Sequence, residues 1–166
     1  MTELNMMQGD LIEMLEKDEI DILIHQTNCH QTLGEGRASG IAGALGKQYP
    51  ELLEYDLTYN KGDINQLGEY AICPVTTKSG KTKYVVNCYS QYMYGPVYGS
   101  SPTSYMAMQY ALHNINTALL TILPTHPRAG TYMLGCSLGG AKWSVVEQIL
   151  TNCLTNLDEL LIVIKD

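Results

Sequence analysis

The sequence predicts an α/β protein in three layers, with helices on both faces of a central sheet of about six strands. Several strand-like segments are continuous apolar runs, such as "ILIHQ" and "LLIVI", which is typical of strands that are buried on both faces. Segments with helical spacing of apolar residues lie between these runs. Strands that alternate with helices along a chain indicate a sheet sandwiched between helical layers.

The strands are predicted from short apolar and β-branched runs between turn residues. They are Leu4–Gln8, Asp21–Gln26, Glu69–Val75, Tyr84–Tyr89, Tyr132–Cys136 and Leu160–Lys165. The segments "YNKGDINQLGEY" and "TKSGKTK" are predicted to be solvated turns.

Four helices are predicted between the strands. Two short ones span Leu11–Lys17 and Ile41–Gln48. A long one begins in "SPTSYMAMQYAL", with Ser101 as its N-cap and Pro102 as its first residue. The last is "KWSVVEQILTNCL", whose valine, isoleucine and leucine residues form one stripe.

Composition limits the class of function. The 166 residues fit a single domain that spans 1–166. With a net charge of -7 and only ten Lys and Arg, the chain is not expected to bind duplex nucleic acid. Five cysteines without a CxxC pair predict free thiols and a cytoplasmic location. The sequence shows no cluster of metal-ligating residues, and neither a metal nor a cofactor is expected. No apolar run approaches the ~20 residues that span a bilayer, so no membrane partner is expected.

Ligands of such sheets gather at the loops that follow the carboxyl ends of strands. One such loop is "GCSLGGAKW", in which Gly139 and Gly140 allow the backbone to approach a ligand closely. The amides of Ser137, Leu138, Gly139, Gly140 and Ala141 are predicted to face outward before a helix, where an anion is favoured. A larger residue at 139 is therefore expected to intrude on the ligand. The alternative is a tight turn between strand and helix.

A second such loop runs through "TNCHQTLGEGRASGIAGAL", between a strand and a helix. Gly34, Gly36, Gly40 and Gly43 allow close approach of the backbone, and the helix from about Ile41 offers a second N-terminus, so two neighbouring loops together suit a diphosphate. Asn28 leaves the strand at its carboxyl end and can contact ribose hydroxyls, or can close an Asx turn. A third loop carries Tyr92, Tyr94 and Tyr98, which can wall a ribose or a base or form a surface loop.

Four further side chains can take part in chemistry. His30 lies in a polar loop and can titrate near neutrality, or it is a solvent-exposed side chain. His25 interrupts an apolar run and is either an acid–base group or a core histidine. Cys29 acts as a nucleophile only beside a base. Asp10 can accept a hydrogen bond from an exocyclic amine, or it caps the helix that begins at Leu11.

Four ordered segments resemble the macrodomain family over nearly the whole chain. They are "QGDLIE", "DILIHQTNC…SGIAGALGKQYPE", "VVNCYSQ" and "LGCSLGGAKWSVVEQIL". The resemblance implies an α/β/α sandwich around a mostly parallel, mixed sheet, and an ADP-ribose derivative as ligand. It implies that Asp10 meets the adenine amine and that Asn28 and Gln91 lie near the distal ribose. Gly40, Ile41 and Ala42 would follow the phosphates and that ribose, and Ser137, Leu138, Gly139 and Gly140 would form the second phosphate loop.

Within that family the chain is most similar to the compact branch of ADP-ribose-1''-phosphate phosphatases and terminal ADP-ribose–glutamate hydrolases. Gln91 and Gly139 stand where those hydrolases carry a lysine and an aspartate, which disfavours that mechanism. The resemblance thus implies hydrolysis of the terminal phosphate of ADP-ribose 1''-phosphate, with Asn28, His30 and His25 as catalytic candidates. The alternatives are a module that binds or sequesters ADP-ribose, an ADP-ribosylated protein or an NAD-derived signal, and a hydrolase of another ADP-ribose ester or glycoside. The long segment from Asn28 to Gly40 would distinguish that last alternative.

Overall fold

A computed structural model describes residues 2–94, 102–123, 125 and 127–165. Its strands are β1 (Glu3–Gly9), β2 (Ile22–Asn28), β3 (Tyr70–Thr76), β4 (Thr82–Gln91), β5 (Arg128–Thr131) and β6 (Glu159–Lys165). Its helices are α1 (Leu11–Glu16), α2 (Gly40–Gln48), α3 (Leu52–Asp56), α4 (Tyr105–Ile122) and α5 (Trp143–Cys153). A short 3-10 helix, Ile64–Gln66, lies inside the predicted turn segment and is capped by Asp63.

The strands form one mixed sheet in the order β1-β6-β5-β2-β4-β3. All neighbouring pairs are parallel except β3 and β4, which are antiparallel and joined by a short connection. This arrangement confirms the predicted mostly parallel, mixed sheet of six strands.

The helices cover both faces of the sheet, because side chains of a strand point alternately to opposite faces. In β2, Ile22 and Ile24 pack into the cluster that contains the buried stripes of α4 and α5. Leu23 points the other way, into a cluster with residues of α1, α2 and α3. The three-layer prediction is therefore confirmed.

The position predicted for the fifth strand is wrong. The strand is Arg128–Thr131, and the predicted segment Tyr132–Cys136 forms the loop that follows it. Glycine lowers strand propensity, so "RAGT" gives little signal by itself. Gly130 is nevertheless required there, because helix α1 packs so close that a Cβ would lie 2.6 Å from Leu11 Cδ2.

The predicted start of the long helix is also wrong. Helix α4 begins at Tyr105 and is capped by Ser104, whose Oγ accepts a hydrogen bond from the Ala107 amide at 3.2 Å. Pro102 precedes the helix, and Thr103 forms an isolated bridge with Gln91. Ser101, the predicted N-cap, lies outside the described residues.

Two features at the carboxyl ends of the strands create room for a ligand. Strand β2 continues into α2 on one face of the sheet, whereas its neighbour β5 continues into α5 on the other face. Connections that diverge in this way open a crevice between adjacent strands. None of the helices in the described part of the chain is long and apolar enough to span a lipid bilayer.

Candidate functional site

A cavity of about 840 Å³ lies in this crevice. It reaches from β6 across β5 and β2 to β4, which is three strand spacings of about 4.8 Å, or roughly 14 Å. Its walls come from the loop after β2, the loop after β5, the end of β4 and the end of β6. The cavity is therefore elongated along the strand order, as an extended ligand requires.

The first wall is the N-terminus of helix α2. Ser39 occupies the N-cap position but makes no side-chain capping bond. The amides of Gly40, Ile41 and Ala42 find no acceptor among the described residues, and all three line the cavity. The positive end of a helix dipole and three free donors thus face the cavity at one place.

Two glycines make that helix start possible for different reasons. Gly40 has a φ of 59°, a left-handed conformation that a side chain would strain. Gly43 stands in the first turn, where a Cβ would overlap the carbonyl oxygen of Ala38. The glycine-rich composition of this segment therefore sets the backbone path that places the free amides.

The opposite wall is the loop from Tyr132 to Lys142, which leaves β5. Its amides at Gly140 and Ala141 donate within the loop, to Ser137 O at 3.1 Å and to Gly135 O at 2.8 Å. The amides of Ser137 and Leu138 donate to no acceptor in the part of the chain that the structure describes. Fewer outward amides are therefore free than predicted, because Gly140 and Ala141 donate within the loop, but those of Ser137 and Leu138 remain available.

A polar floor that the sequence did not reveal holds this second loop in place. Gln26 donates to Gln91 Oε1 at 2.7 Å and to Thr103 Oγ1 at 3.1 Å, and its Oε1 accepts from Ser90 Oγ at 2.7 Å. The amide of Thr103 donates to Gly139 O at 3.1 Å. Thr103 is 77 residues from Gln26, and only the fold brings them together.

Gly139 is packed against that floor rather than presented to the cavity. A Cβ at this position would overlap Thr103 Oγ1 and would lie 2.5 Å from Gly135 O and 2.8 Å from Gln26 Nε2. The expectation that a larger residue at 139 would intrude on the ligand is therefore wrong. Such a residue would collide with the protein and displace the loop.

Asn28 lines the cavity at the end of β2 and closes an Asx turn. Its Oδ1 accepts from the His30 amide at 2.8 Å, and its Nδ2 donates to Thr32 Oγ1 at 2.6 Å. A register shift between Gln26 and Asn28 places Gln91 beside Asn28, so both predicted ribose contacts lie together. Gln91 is itself engaged, because its Nε2 donates to Met93 O at 2.6 Å.

His25 lies at the floor of the cavity and is almost fully buried. Its Nε2 is 2.7 Å from Asn87 Oδ1, and its Nδ1 has no partner in the described part of the chain. Burial lowers the pKa of His25 to about 4, so the imidazole is neutral at physiological pH. This placement agrees with the core alternative and leaves His25 a weak base.

His30 is not part of the cavity wall. Its ring packs edge-on against the ring of Tyr92, with centroids 4.9 Å apart, and rests on Gly62. Its ring also lies edge-on to that of Tyr94, with centroids 6.0 Å apart, and His30 is absent from the residues that line the cavity. Its predicted part in catalysis therefore has no support in this geometry.

Cys29 is buried beside the site and cannot serve as a thiolate. Its Sγ donates to Gln91 O at 3.6 Å, and burial raises the pKa of the thiol to about 12.

Asp10 caps helix α1 and lies just outside the cavity wall. Its Oδ1 accepts from the Glu13 amide at 3.1 Å. The neighbouring amide of Leu11 donates to Tyr132 Oη at 3.3 Å, and Tyr132 does line the cavity, together with Val163 and Ile164. This end of the cavity is apolar and aromatic, and Tyr132 is a contributor that the strand misassignment concealed.

The other end of the cavity is polar and carries a cation. Tyr94 and Arg37 both line it, and the guanidinium carbon of Arg37 lies 5.7 Å from the centre of the Tyr94 ring. Tyr94 belongs to the predicted tyrosine loop, whereas Tyr98 lies outside the described residues. Arg37 was hidden in the long segment between Asn28 and Gly40.

No model of a known protein family matches the chain. An uncharacterized 17.5 kDa protein from the tk-vs intergenic region of Enterobacteria phage T4 is 28% identical over 160 residues, which cover 93% of this chain and 92% of that protein.

Solved structures are similar over the length of the chain. The macrodomain of Mycobacterium tuberculosis DarG has a TM-score of 0.72 at 17% identity, with 98% of each chain covered. The macrodomain of Thermus aquaticus DarG has a TM-score of 0.69 at 16% identity, covering 98% of this chain and 99% of that one. Thermosipho africanus DarTG in complex with ADP-ribose has a TM-score of 0.74 at 14% identity, and the likeness covers 99% of this chain but 42% of DarTG. This protein therefore has the macrodomain fold that its sequence motifs resemble.

Proposed function

We propose that the protein binds ADP-ribose or a derivative of it in the cavity between β2 and β5. One observation carries the proposal: free main-chain amides of two loops face one cavity from opposite sides. Three belong to the start of α2 and two to Ser137 and Leu138. Main-chain amides and a helix N-terminus hold phosphate groups without basic side chains, which suits a chain with a net charge of -7.

The two ends of the cavity support an orientation for the ligand. Tyr132, Val163 and Ile164 offer an apolar surface for the adenine, with Asp10 at its rim. Asn28 and Gln91 stand at the polar end, where the distal ribose would lie. DarTG, a structure of the same fold, was solved with ADP-ribose bound, which supports this ligand class for the present chain.

A proline at position 41 tests the proposal at the level of single amides. Ile41→Pro removes one free donor at a position where a helix accepts proline, because that amide makes no bond within the helix. We expect ADP-ribose affinity, measured by calorimetry, to fall about tenfold or more. Ile41→Val keeps the amide and removes one methylene, so it should bind within about threefold of the original chain.

Two results would contradict the proposal. One is no measurable binding of ADP-ribose by the unaltered protein. The other is equal affinity of the Ile41→Pro and Ile41→Val variants, with both folded by circular dichroism.

Hydrolysis of the terminal phosphate of ADP-ribose 1''-phosphate is the second function that we propose. The same amides would stabilise charge on a phosphoryl group. The geometry supports binding more strongly than turnover, because Nε2 of His25 is engaged by Asn87 and His30 lies outside the wall. Sequestration of an ADP-ribosylated protein or NAD-derived signal, or hydrolysis of another ADP-ribose ester or glycoside, would use the same cavity.

Release of phosphate from ADP-ribose 1''-phosphate decides between the two functions. A phosphatase would release phosphate, and His25→Gln would slow that release without a matching loss of ADP-ribose affinity. Tight ADP-ribose binding without phosphate release would leave the binding function alone.

A further inference from the structure

The long segment between β2 and α2 is a loop held in one conformation by its own backbone hydrogen bonds. The amides of Glu35, Gly36 and Arg37 donate to carbonyls of Gln31, Leu33 and Thr32, at 2.9, 3.0 and 2.8 Å. Leu33 is buried within the protein. These bonds define the path of the backbone from Asn28 to Gly40, and thereby the position of each side chain on it.

A buried carboxylate anchors this loop to the rest of the protein. Asp56, fully buried, accepts from the Gly34 amide at 2.8 Å, from Tyr89 Oη at 2.8 Å and from Tyr59 Oη at 3.2 Å. Tyr59 Oη also accepts from the Gln31 amide at 3.2 Å. The loop is thus tied to α3 and to strand β4 through groups that are shielded from water, where hydrogen bonds are strongest.

The anchored loop presents Arg37 next to Asn28. The Arg37 amide donates to Thr32 O, and Thr32 Oγ1 accepts from Asn28 Nδ2. Thr32 therefore links Arg37 to Asn28 through two hydrogen bonds. Lys165 and Arg37 are the two cationic side chains that line the cavity in the described part of the chain. Lys165 ends β6 at the apolar end, and Arg37 stands at the polar end.

Arg37 keeps most of its donor capacity for another group. Its Nη2 is 2.6 Å from Glu35 Oε1, and the same carboxylate also binds Lys61 Nζ at 2.9 Å. Two cations therefore share this one carboxylate. The guanidinium has five N–H donors in a planar fork that matches a phosphate, and its hydrogen bonds to Glu35 and to the side chain of Tyr94 use only part of them.

We infer that Arg37, braced by the ring of Tyr94, selects ADP-ribose derivatives that carry an anionic group on the distal ribose. This inference rests on the proposed function, because it takes the distal ribose to lie beside Asn28. The free amides would hold the diphosphate that all ADP-ribose derivatives share. Arg37 would add affinity when a phosphate extends the ligand beyond that ribose.

Calorimetry with two ligands and two variants tests the inference. ADP-ribose 1''-phosphate should bind the unaltered protein about tenfold more tightly than ADP-ribose, and this preference should shrink as salt is raised. Arg37→Gln should abolish the preference while leaving ADP-ribose affinity within about threefold. Lys61→Gln removes the other cation that pairs with Glu35. Because Lys61 does not line the cavity, this variant should keep the preference.

Three results would overturn the inference while leaving ADP-ribose binding intact. The first is equal affinity of the unaltered protein for both ligands. The second is an equal loss of affinity for both in Arg37→Gln. The third is loss of the preference in Lys61→Gln to the same extent as in Arg37→Gln. Absence of ADP-ribose binding by the unaltered protein would instead reject the proposed function itself.

Discussion

Individual glycines in this protein serve distinct purposes. At Gly40 the requirement is a left-handed backbone with open space around it, whereas at Gly139 the requirement is the absence of a side chain. Gly139 touches the polar floor of Gln26 and Thr103, so its neighbours are protein atoms. Substitution at these positions should therefore act through the path of the loop.

Gly139→Ala is expected to displace the loop that carries Ser137 and Leu138. The added methyl would overlap Thr103 Oγ1, which is held by Gln26, so the loop must move. We expect ADP-ribose affinity to fall about tenfold and the melting temperature to decrease, as measured by calorimetry and thermal unfolding.

Gly9→Ala is the matched control for that substitution. A Cβ there would meet its nearest neighbours at 3.6 and 3.7 Å, which is ordinary contact. If both alanine variants bind ADP-ribose equally well, the close packing at Gly139 does not position the loop.

His25 gives the protein a pH dependence of known sign. Its pKa of about 4 in the folded state lies below the unfolded value of about 6.5. Between pH 4 and 6.5 the unfolded chain therefore binds more protons than the folded one. The contribution of His25 to the free energy of unfolding is fully present above about pH 6.5 and is lost as the pH falls to about 4.

Urea unfolding at several pH values checks that sign. Between pH 6.5 and 4, the original chain should lose about 1.4 kcal/mol per pH unit relative to His25→Gln. Parallel pH profiles for the two chains would show that the pKa of His25 does not differ between the folded and unfolded states.

At the scale of elements, the two edges of the sheet have different tasks. The carboxyl edge of β2, β5 and β6 faces the cavity. At the opposite edge, a group of ions ties the starts of β2, β4 and β5 together. The Lys83 ammonium is nearly buried and binds Asp18 and Asp21, while the Arg128 amide and guanidinium donate to Asp21.

Removal of Asp21 should weaken the sheet at that edge. Asp21→Ala removes the acceptor of the Arg128 amide and one of the two carboxylates that bind the nearly buried Lys83, so that only Asp18 still pairs with it, and shielded donors that lose an acceptor are costly. We expect the free energy of unfolding to fall by about 2–3 kcal/mol, as measured with urea.

Lys17→Ala is the comparison for this ionic group. Lys17 forms an exposed pair with Glu13, and solvent screening leaves such pairs little effect on stability. Equal losses for the two variants would indicate that burial of Lys83 is not what makes Asp21 important.

For the whole molecule, the candidate site is the place where the two helical layers meet. Helix α2 covers one face of the sheet and α5 the other, and their preceding loops form the two walls of the cavity. A ligand that bridges these walls joins parts of the fold that are otherwise connected only through the sheet.

ADP-ribose should therefore stabilise the entire domain. At a concentration of about 100 times the dissociation constant, the expected gain is about 2.7 kcal/mol. For a chain of this size each kcal/mol raises the melting temperature by about 2–4 °C. Thermal unfolding with and without ADP-ribose measures the shift, and Ile41→Pro should reduce it; an unchanged melting temperature at saturating ligand would contradict this expectation.

The sequence alone determined the layers and most of the strands, because buried strands such as β2 and β6 are apolar without interruption. It also predicted the free amides at the start of helix α2, near Gly40, Ile41 and Ala42, since a strand end, glycines and a helix start follow one another in this segment. The clearest error of the sequence-based prediction is the position of β5. Gly130 is required there because helix α1 packs against it, and a contact between distant segments leaves no sign in the local sequence pattern.

The tertiary structure alone decided which side chains line the cavity. Gln26 and Thr103 are 77 residues apart, and the loop in which Arg37 contacts Tyr94 is anchored by the distant Asp56. It also turned His30 toward Tyr92 and buried His25 beside Asn87. Local propensity specifies the backbone of the loops, whereas contacts between distant segments specify which polar groups remain free to bind.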